Sequence, residues 1–185
     1  MKKNKITVFV DVDDVCAVLW PVWYTRYNSD YKDNLSDERV TDWNTHNFVK
    51  PECGIKIYEY LKDPSLYDFV IPREHAKWGV NRLRDMGFRV IFATSTPIET
   101  AGRKFHWLKQ WEFNPEIREY IEIGDKSLLH GDFMIDDCYG NVKGFSGQGY
   151  LLSRPWNIKH TWHHRVTDWI EFVKIMENNK NVQDS

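Results

Sequence analysis

The chain opens with a short, nearly continuous apolar run that ends in acidic residues. Residues 6–10 (ITVFV) favour β-structure, and Asp11, Asp13 and Asp14 follow almost directly. Such a run is typical of a strand that is buried on both faces of a parallel sheet. In open α/β sheets, ligands bind beyond the carboxyl ends of the strands. The three aspartates are therefore predicted at a ligand-binding edge, although a strand that ends in a solvated acidic turn gives the same pattern.

Apolar runs and helical spacing then alternate along the chain. The apolar positions of residues 75–86 have helical spacing, and Gly87 fits a left-handed helix stop. Strand and helix in repeated succession favour a mostly parallel, Rossmann-like doubly wound sheet of the α/β class. The polar residues 177–185 are expected to form a frayed tail. Further buried strands are predicted at 89–93, 120–123, 133–135 and 150–152.

A helix start follows the second predicted strand. In the segment TPIE, Thr96 is the predicted N-cap, Pro97 fits the first turn, and Glu99 completes a capping box. The helix is predicted to continue to about Trp111.

Composition favours a compact, enzyme-sized unit. The 185 residues are 42% hydrophobic, enough to bury a core. A formal net charge of −2 gives no general attraction to nucleic acid or to an anionic membrane, and no apolar segment is long enough to span one. Three cysteines without a CxxC pair argue against a disulfide framework and for a reducing, cytoplasmic location. The sequence therefore predicts no stable nucleic-acid partner and no membrane, and it leaves a homodimer open.

Side chains with chemical potential follow the predicted strands at their carboxyl ends. Carboxylates packed together require a cation, and an incomplete cage of hard oxygen ligands suits Mg²⁺, which also accepts phosphate oxygens. An ammonium group and hydroxyls supply charge and donors for a transferring phosphoryl group. Phosphoryl transfer is therefore the predicted reaction class. The residues expected to converge are Asp11, Asp13, Thr94, Ser95, Lys126, Asp136 and Asp137.

In order and spacing, these residues resemble the four motifs of the haloacid dehalogenase (HAD) superfamily of phosphohydrolases. DxD follows the first strand, a threonine the second, and then come a lysine and IDD. Within that superfamily the chain is most similar to the 5'(3')-deoxyribonucleotidases. This similarity rests on the segments ATSTPIE, GDKSLLHGDFMIDD, PWN and TDWIEF, which begin at residues 93, 124, 155 and 167. Each motif alone is weak, whereas the four in order are specific.

The resemblance implies a domain organisation. A phosphatase core would comprise residues 1–18 and 73–176, and a small helical cap would be inserted after the first strand at residues 19–72. Substrate choice would then come from the cap, whose many aromatic residues are expected mostly to pack against each other. In the relatives a base-contacting aromatic follows the first motif, which nominates Leu19 and Trp20 as substrate-binding residues.

The resemblance also implies roles for the site residues. Asp11 would be the nucleophile that forms an aspartyl-phosphate, and Asp13 the general acid and then the base. Thr94, Ser95 and Lys126 would hold the substrate's phosphoryl oxygens. Mg²⁺ would bind the Asp11 carboxylate, the Asp13 main-chain carbonyl and a carboxylate of the third acidic pair. Asp136 and Asp137 are both candidates for that last ligand.

The chain departs from the family pattern at three positions. Asp14 stands where glycine commonly follows the second aspartate of the first motif, so a tight turn has to accommodate a side chain. Thr96 lies between Ser95 and Pro97, where close relatives lack an extra residue, and Cys138 stands where some relatives have arginine. The family's phosphate contacts are not carried over to Thr96 and Cys138.

The resemblance therefore predicts a Mg²⁺-dependent phosphatase that acts on deoxyribonucleoside monophosphates. One alternative keeps the chemistry and changes the substrate to a 3'-phosphate at a nucleic-acid end, which would require a basic groove. The even mixture of 25 basic and 27 acidic residues argues mildly against such a groove. Another alternative is a noncatalytic nucleotide-binding protein, which would not need both Asp11 and Asp13.

Overall fold

The fold is a parallel sheet between helices, with a helical insertion beside one end. The computed structural model describes the backbone of residues 5–184 and the side chains of residues 5–180. The described helices are α1 (Trp20–Tyr31), α2 (Ala76–Asp85), α3 (Arg103–Gln110), α4 (Tyr139–Gly144) and α5 (Trp169–Asp184). The described strands are β1 (Thr7–Val10), β2 (Ala17–Val18), β3 (Ile71–Pro72), β4 (Arg89–Thr94), β5 (Tyr120–Glu122), β6 (Phe133–Asp136), β7 (Gln148–Leu152) and β8 (Arg165–Val166).

Six strands form the main sheet in the order β5-β4-β1-β6-β7-β8, and every neighbouring pair is parallel. Alternate residues of β1 enter different apolar clusters: Val8 and Val10 belong to one, and Phe9 belongs to the other. Both faces of the sheet are therefore covered, which explains why its strands appear in the sequence as continuous apolar runs. The predicted doubly wound α/β class is confirmed, and β1 lies at the centre of the sheet.

The segment between β2 and β3 is helical. It contains α1 and three 3-10 helices (Thr45–Asn47, Gly54–Lys62 and Pro64–Asp68). β2 and β3 pair antiparallel, so the points where the chain leaves and returns to the core lie side by side. Residues 19–70, which contain these helices, are called the cap segment.

The helix after β4 begins later than its sequence predicts. Ile98–Thr100 form a 3-10 turn, Ala101 is extended, and α3 starts only at Arg103. Thr96 makes no N-cap hydrogen bond, and its hydroxyl is buried without a partner among the described residues. The predicted capping box was wrong because extended backbone at Ala101 separates the TPIE segment from the helix.

Two further predictions differ from the structure. β8 was missed because two residues are too short for a periodic pattern. The segment 177–185, expected to be a frayed tail, continues α5 as far as Asp184. Glu177 in this segment pairs with Arg82 of α2 at 2.8 Å.

Among the described residues, no helix combines the length and apolarity needed to cross a bilayer.

Candidate active site

Two central strands bring three carboxylates together. Asp11 follows β1, Asp136 is the last residue of β6, and Asp137 comes next. The two strands are adjacent, and the Asp11 N–H donates to the Ile135 carbonyl at 3.0 Å. One carboxylate oxygen of each aspartate lies within 4.8 Å of those of the other two. The structure therefore brings these three carboxylates together at the edge of the sheet where the parallel strands end.

Lys126 lies between two of these carboxylates. Its Nζ donates to Asp11 Oδ1 at 2.5 Å and to Asp136 Oδ2 at 2.7 Å, and the lysine is only 3% exposed. Burial acts to lower the pKa of Lys126, but the charges of Asp11 and Asp136 outweigh it and raise that pKa. Asp125 caps the short turn that carries Lys126. The ammonium group is thus fixed and charged beside the predicted nucleophile.

The acidic pair after β6 divides into two environments. Asp136 accepts hydrogen bonds from the Cys138 N–H at 2.8 Å and from the Asn141 side chain at 3.1 Å, besides Lys126. Asp137 Oδ2 accepts a bond from Trp156 Nε1 at 2.8 Å, and among the described residues no bond reaches its other carboxylate oxygen. Asp136 is therefore saturated with donors, whereas Asp137 keeps an oxygen available.

Burial and mutual repulsion raise the pKa of both members of the pair. The pKa of Asp136 rises to about 6 because it is buried, with Lys126 opposing the shift and Asp11 adding to it. The pKa of Asp137 is raised well above its usual value by burial and by the charges of Asp136 and Asp11. Three ionised carboxylates and one ammonium would leave two negative charges uncompensated in this buried cluster. The donor set therefore fits a divalent cation with a preference for oxygen ligands.

Asp13 is held by two residues that sequence reasoning missed. Lys104 of α3 donates from Nζ to Asp13 Oδ2 at 2.6 Å, and the Tyr67 hydroxyl of the cap segment donates to Asp13 Oδ1. Burial raises the pKa of Asp13, Lys104 lowers it, and Asp11 adds to the rise. Lys104 is 3% exposed and lies in the first turn of α3. The sequence did not reveal this position because the helix was predicted to begin at Thr96.

Thr94 lies deeper than its predicted role requires. It is fully buried, and its Oγ1 accepts a hydrogen bond from Lys104 Nζ at 2.9 Å. Lys104 also donates to the Ser95 carbonyl. The following residues Ser95, Thr96 and Pro97 reach the cavity wall, whereas Thr94 is not among the lining residues.

A cavity of about 480 Å³ opens above the carboxylates. Its floor is polar, and its remaining wall comes largely from the cap segment, so the cavity joins a charged end to an aromatic one. The apolar and aromatic residues of the wall are Leu19, Trp20, Trp23, Trp43, Tyr58 and Leu61.

Trp20 and Trp43 contribute differently to that wall. Trp20 is 5% exposed and stacks on Trp156, with ring centroids 4.0 Å apart and an angle of 5° between the rings. Trp43 is 45% exposed and lies tilted against Trp20 at 6.0 Å. Leu19 and Trp20, the residues nominated for substrate binding, both line the cavity, and Trp43 is the more exposed aromatic surface.

The cysteine after the acidic pair is chemically quiet. Burial and the nearby Asp136 raise the pKa of the Cys138 thiol to about 12, so the thiol stays protonated near neutral pH. Cys138 is therefore not a candidate nucleophile.

The comparisons with known proteins agree with this geometry. The family described as "5' nucleotidase, deoxy (Pyrimidine), cytosolic type C protein" matches residues 4–182. A 5'(3')-deoxyribonucleotidase of Clostridium acetobutylicum is 30% identical over 178 residues, covering 96% of this chain and 98% of the relative. The enzyme of the same name from Bacillus subtilis is 25% identical over 177 residues, with 92% and 98% covered.

Solved structures show the same fold. A HAD family hydrolase from Deinococcus radiodurans, with bound phosphate and sodium, has a TM-score of 0.60 at 13% identity, covering 95% of this chain and 97% of the other. The HAD hydrolase YfnB from Bacillus subtilis, bound to magnesium, has a TM-score of 0.61 at 12% identity, covering 94% and 99%. This chain therefore has the fold of HAD hydrolases, and, with a family match along nearly its whole length, it belongs to the deoxyribonucleotidase family of phosphoric monoester hydrolases.

Proposed function

We propose that the protein is a Mg²⁺-dependent phosphomonoesterase that hydrolyses deoxyribonucleoside monophosphates through an aspartyl-phosphate. The observation that carries this proposal is the cluster of Asp11, Asp136, Asp137 and Lys126 below an aromatic-walled cavity of about 480 Å³. The cavity has a charged end for a phosphate group and a flat apolar end for a base.

Mg²⁺ would be held by Asp11, by the main-chain carbonyl of Asp13 and by Asp137. Asp137 is preferred over Asp136 because hydrogen bonds from Lys126, Asn141 and the Cys138 N–H already occupy both oxygens of Asp136. When bound, the ion would offset the negative charge shared by the carboxylates and the phosphoryl oxygens. Asp136 would instead fix Lys126 and Asn141 in place.

The chain's own residues carry the bond changes of the first step. An Asp11 carboxylate oxygen attacks phosphorus, and the bond between phosphorus and the ester oxygen breaks. The protonated Asp13 gives its proton to that leaving oxygen, so the nucleoside departs as an alcohol. Lys126, 2.5 Å from Asp11, provides positive charge for the phosphoryl oxygens.

The second step returns the site to its starting state. Asp13, now ionised, takes a proton from a water molecule whose oxygen attacks the phosphorus of the aspartyl-phosphate. The bond between phosphorus and Asp11 breaks, which releases inorganic phosphate and regenerates the carboxylate. Lys104 and Tyr67 hold Asp13 in reach of both the leaving oxygen and the water.

The phosphoryl group would also contact the loop after β4. Ser95 lines the cavity and is the better placed of the two predicted hydroxyl contacts. Thr94 would contribute by accepting the hydrogen bond from Lys104, at 2.9 Å, which helps to place that lysine beside Asp13. The nucleobase would lie against Leu19, Trp20 and Trp43.

The test is phosphate release from 5'- and 3'-monophosphates of deoxy- and ribonucleosides, with p-nitrophenyl phosphate as a generic ester. We expect turnover of a deoxynucleotide that requires Mg²⁺ and is lost in Asp11→Asn. Turnover of the generic ester alone would retain the chemistry and reject the substrate. Turnover of no ester would reject the proposed function.

A further inference from the structure

The turn after the catalytic aspartates has an unusual backbone conformation. Asp14 has a φ of +54°, in the left-handed region that residues with a Cβ rarely adopt, and its side chain is 1% exposed. The φ of Asp14 and the ψ of Asp13 together orient the peptide group between these residues. That peptide group carries the Asp13 carbonyl, which is the main-chain oxygen proposed above as a metal ligand. Whatever stabilises the turn therefore acts on the metal site.

Two arginines from distant parts of the chain meet at this turn. Arg154 donates from Nε and Nη2 to the main-chain carbonyl of Asp14, at 3.1 and 3.0 Å. Arg73 donates from Nη2 to Asp14 Oδ1 at 3.2 Å. Arg154 comes shortly after β7, and Arg73 follows β3 directly. The turn is thus tied both to the sheet and to the point where the cap segment returns to the core.

Charge balance explains why arginines surround this position. The Asp14 carboxylate is buried, and its Oδ2 has no hydrogen-bond partner among the described residues. A second carboxylate, Asp37 of the cap segment, interacts electrostatically with both Arg73 and Arg154. When both carboxyl groups are ionised, the two arginines balance the two aspartates, and Arg154 also interacts electrostatically with Asp137. Glycine at position 14 would carry no charge that needs a partner, and it would adopt the left-handed conformation without strain.

We propose that Arg154 is a positioning residue for the metal site, which stabilises the left-handed turn at Asp14 through its two bonds to the Asp14 carbonyl. The inference rests on the proposed function, because it assumes that the Asp13 carbonyl binds Mg²⁺. Arg154 itself is not among the residues that line the catalytic cavity. Arg154 acts on the metal site through the backbone of Asp14. Its bonds stabilise an aspartate in the left-handed turn, at a position where the phosphohydrolases that this chain resembles commonly have glycine.

The test is Mg²⁺ binding measured by isothermal titration calorimetry in the absence of substrate. Arg154→Met should weaken binding about tenfold, equivalent to about 1.4 kcal/mol. In the Asp14→Gly background the same substitution should weaken it less than about twofold, because glycine adopts the turn unaided. In that double variant Arg73 and Asp37 also remain as a balanced pair. The rescue by glycine is a readout that general destabilisation would not produce.

Arg84→Met is the matched control. Arg84 is also a partly buried arginine, but its side chain donates to the Phe113 carbonyl and to Glu119, and neither residue lines the catalytic cavity. It should lower the unfolding temperature and leave the Mg²⁺ affinity unchanged. Arg154→Lys keeps the charge but replaces the planar fork with a point donor, so it should weaken binding by an intermediate factor.

Wild-type Mg²⁺ affinity in Arg154→Met would overturn the inference, as would equal weakening in the wild-type and Asp14→Gly backgrounds. If Arg154→Met does not fold, Arg154→Lys and the double variant decide the matter in the same way. Asp11→Asn distinguishes the two proposals. Retained turnover in that variant would reject the nucleophile while the calorimetric result for Arg154 stood, and wild-type binding in Arg154→Met would reject only the positioning role.

Discussion

Asp11 and Asp13 are two residues apart, yet a different lysine contacts each of them. Lys126 contacts Asp11 at 2.5 Å, and Lys104 contacts Asp13 at 2.6 Å. Lys126 is also shared with Asp136, whereas Asp13 shares its environment with the Tyr67 hydroxyl. Because their surroundings differ, two neighbouring carboxyl groups can take different roles, one as nucleophile and the other as general acid and base. The division of labour in the proposed mechanism therefore begins with these two lysines.

Lys104 should act through Asp13. Lys104→Met removes the ammonium group from Asp13 Oδ2, so we expect the rate of p-nitrophenyl phosphate turnover to fall by about tenfold or more. In the Asp13→Asn background the same substitution should change the residual steady-state turnover of p-nitrophenyl phosphate little, because its charged partner is already absent. Stopped-flow absorbance of the four variants measures this cycle. Equal losses in both backgrounds would place the action of Lys104 on the phosphate group instead.

At the scale of elements, the cap segment supplies the wall and the core supplies the floor of the cavity. The two parts are joined beside the site: Arg103 of α3 donates to the Pro64 carbonyl at 3.1 Å, and Trp107 Nε1 donates to the Val70 carbonyl at 2.9 Å. These bonds hold the 3-10 helix that carries Tyr67 over Asp13. In the proposed mechanism, the position of the cap segment would therefore affect both the end of the cavity that takes the base and the end that contains Asp13.

Trp43 is the clearest probe of the wall, because 45% of it is exposed. Trp43→Ala should raise the KM for a deoxynucleotide by about tenfold, since stacking on a base is worth about 1–3 kcal/mol. The KM for p-nitrophenyl phosphate should change far less. Steady-state kinetics with both esters measures the difference, and equal increases in the two KM values would contradict a base contact.

Trp20→Ala should lower the free energy of unfolding by about 3–5 kcal/mol, because Trp20 is buried against Trp156.

Sequence patterns predicted those parts of the fold and site that depend on local periodicity and strand ends. Asp11, Lys126, Asp136 and Asp137 could be placed together because parallel strands end at one edge. The late start of α3 could not be predicted, because Thr96, Pro97 and Glu99 satisfy a local capping rule that the extended backbone at Ala101 overrides. The roles of Lys104, Tyr67 and Asn141 depend on tertiary contacts that no spacing in the sequence encodes.

For the whole molecule, the sheet concentrates negative charge at one buried point. With all three carboxylates ionised the cluster would carry two negative charges after Lys126 is counted, and burial opposes this state by raising the pKa of Asp137 well above its usual value. A folded chain that binds a divalent cation there gains stability, because the unfolded chain has no such site.

Mg²⁺ should therefore stabilise the protein against heat. At a concentration about 100 times its dissociation constant, a ligand adds about 2.7 kcal/mol, which corresponds to a rise in Tm of about 5–10 °C for a chain of this size. Differential scanning calorimetry with and without MgCl₂ measures the shift, with KCl at equal ionic strength as the control. Asp137→Asn should lose most of the rise. An equal shift with KCl, or in Asp137→Asn, would contradict specific binding at the cluster.

The most direct test of the account is a search for phosphate on Asp11 in the Asp13→Asn variant. p-Nitrophenolate leaves without needing a proton, so the first step should proceed while the second, which needs Asp13 as base, should stall. We predict a burst of p-nitrophenol of about one equivalent per enzyme. Mass spectrometry should then find one phosphoryl group on the peptide that contains Asp11, and none in the Asp11→Asn, Asp13→Asn double variant. Turnover without a burst and without a phosphorylated Asp11 peptide would contradict the covalent mechanism.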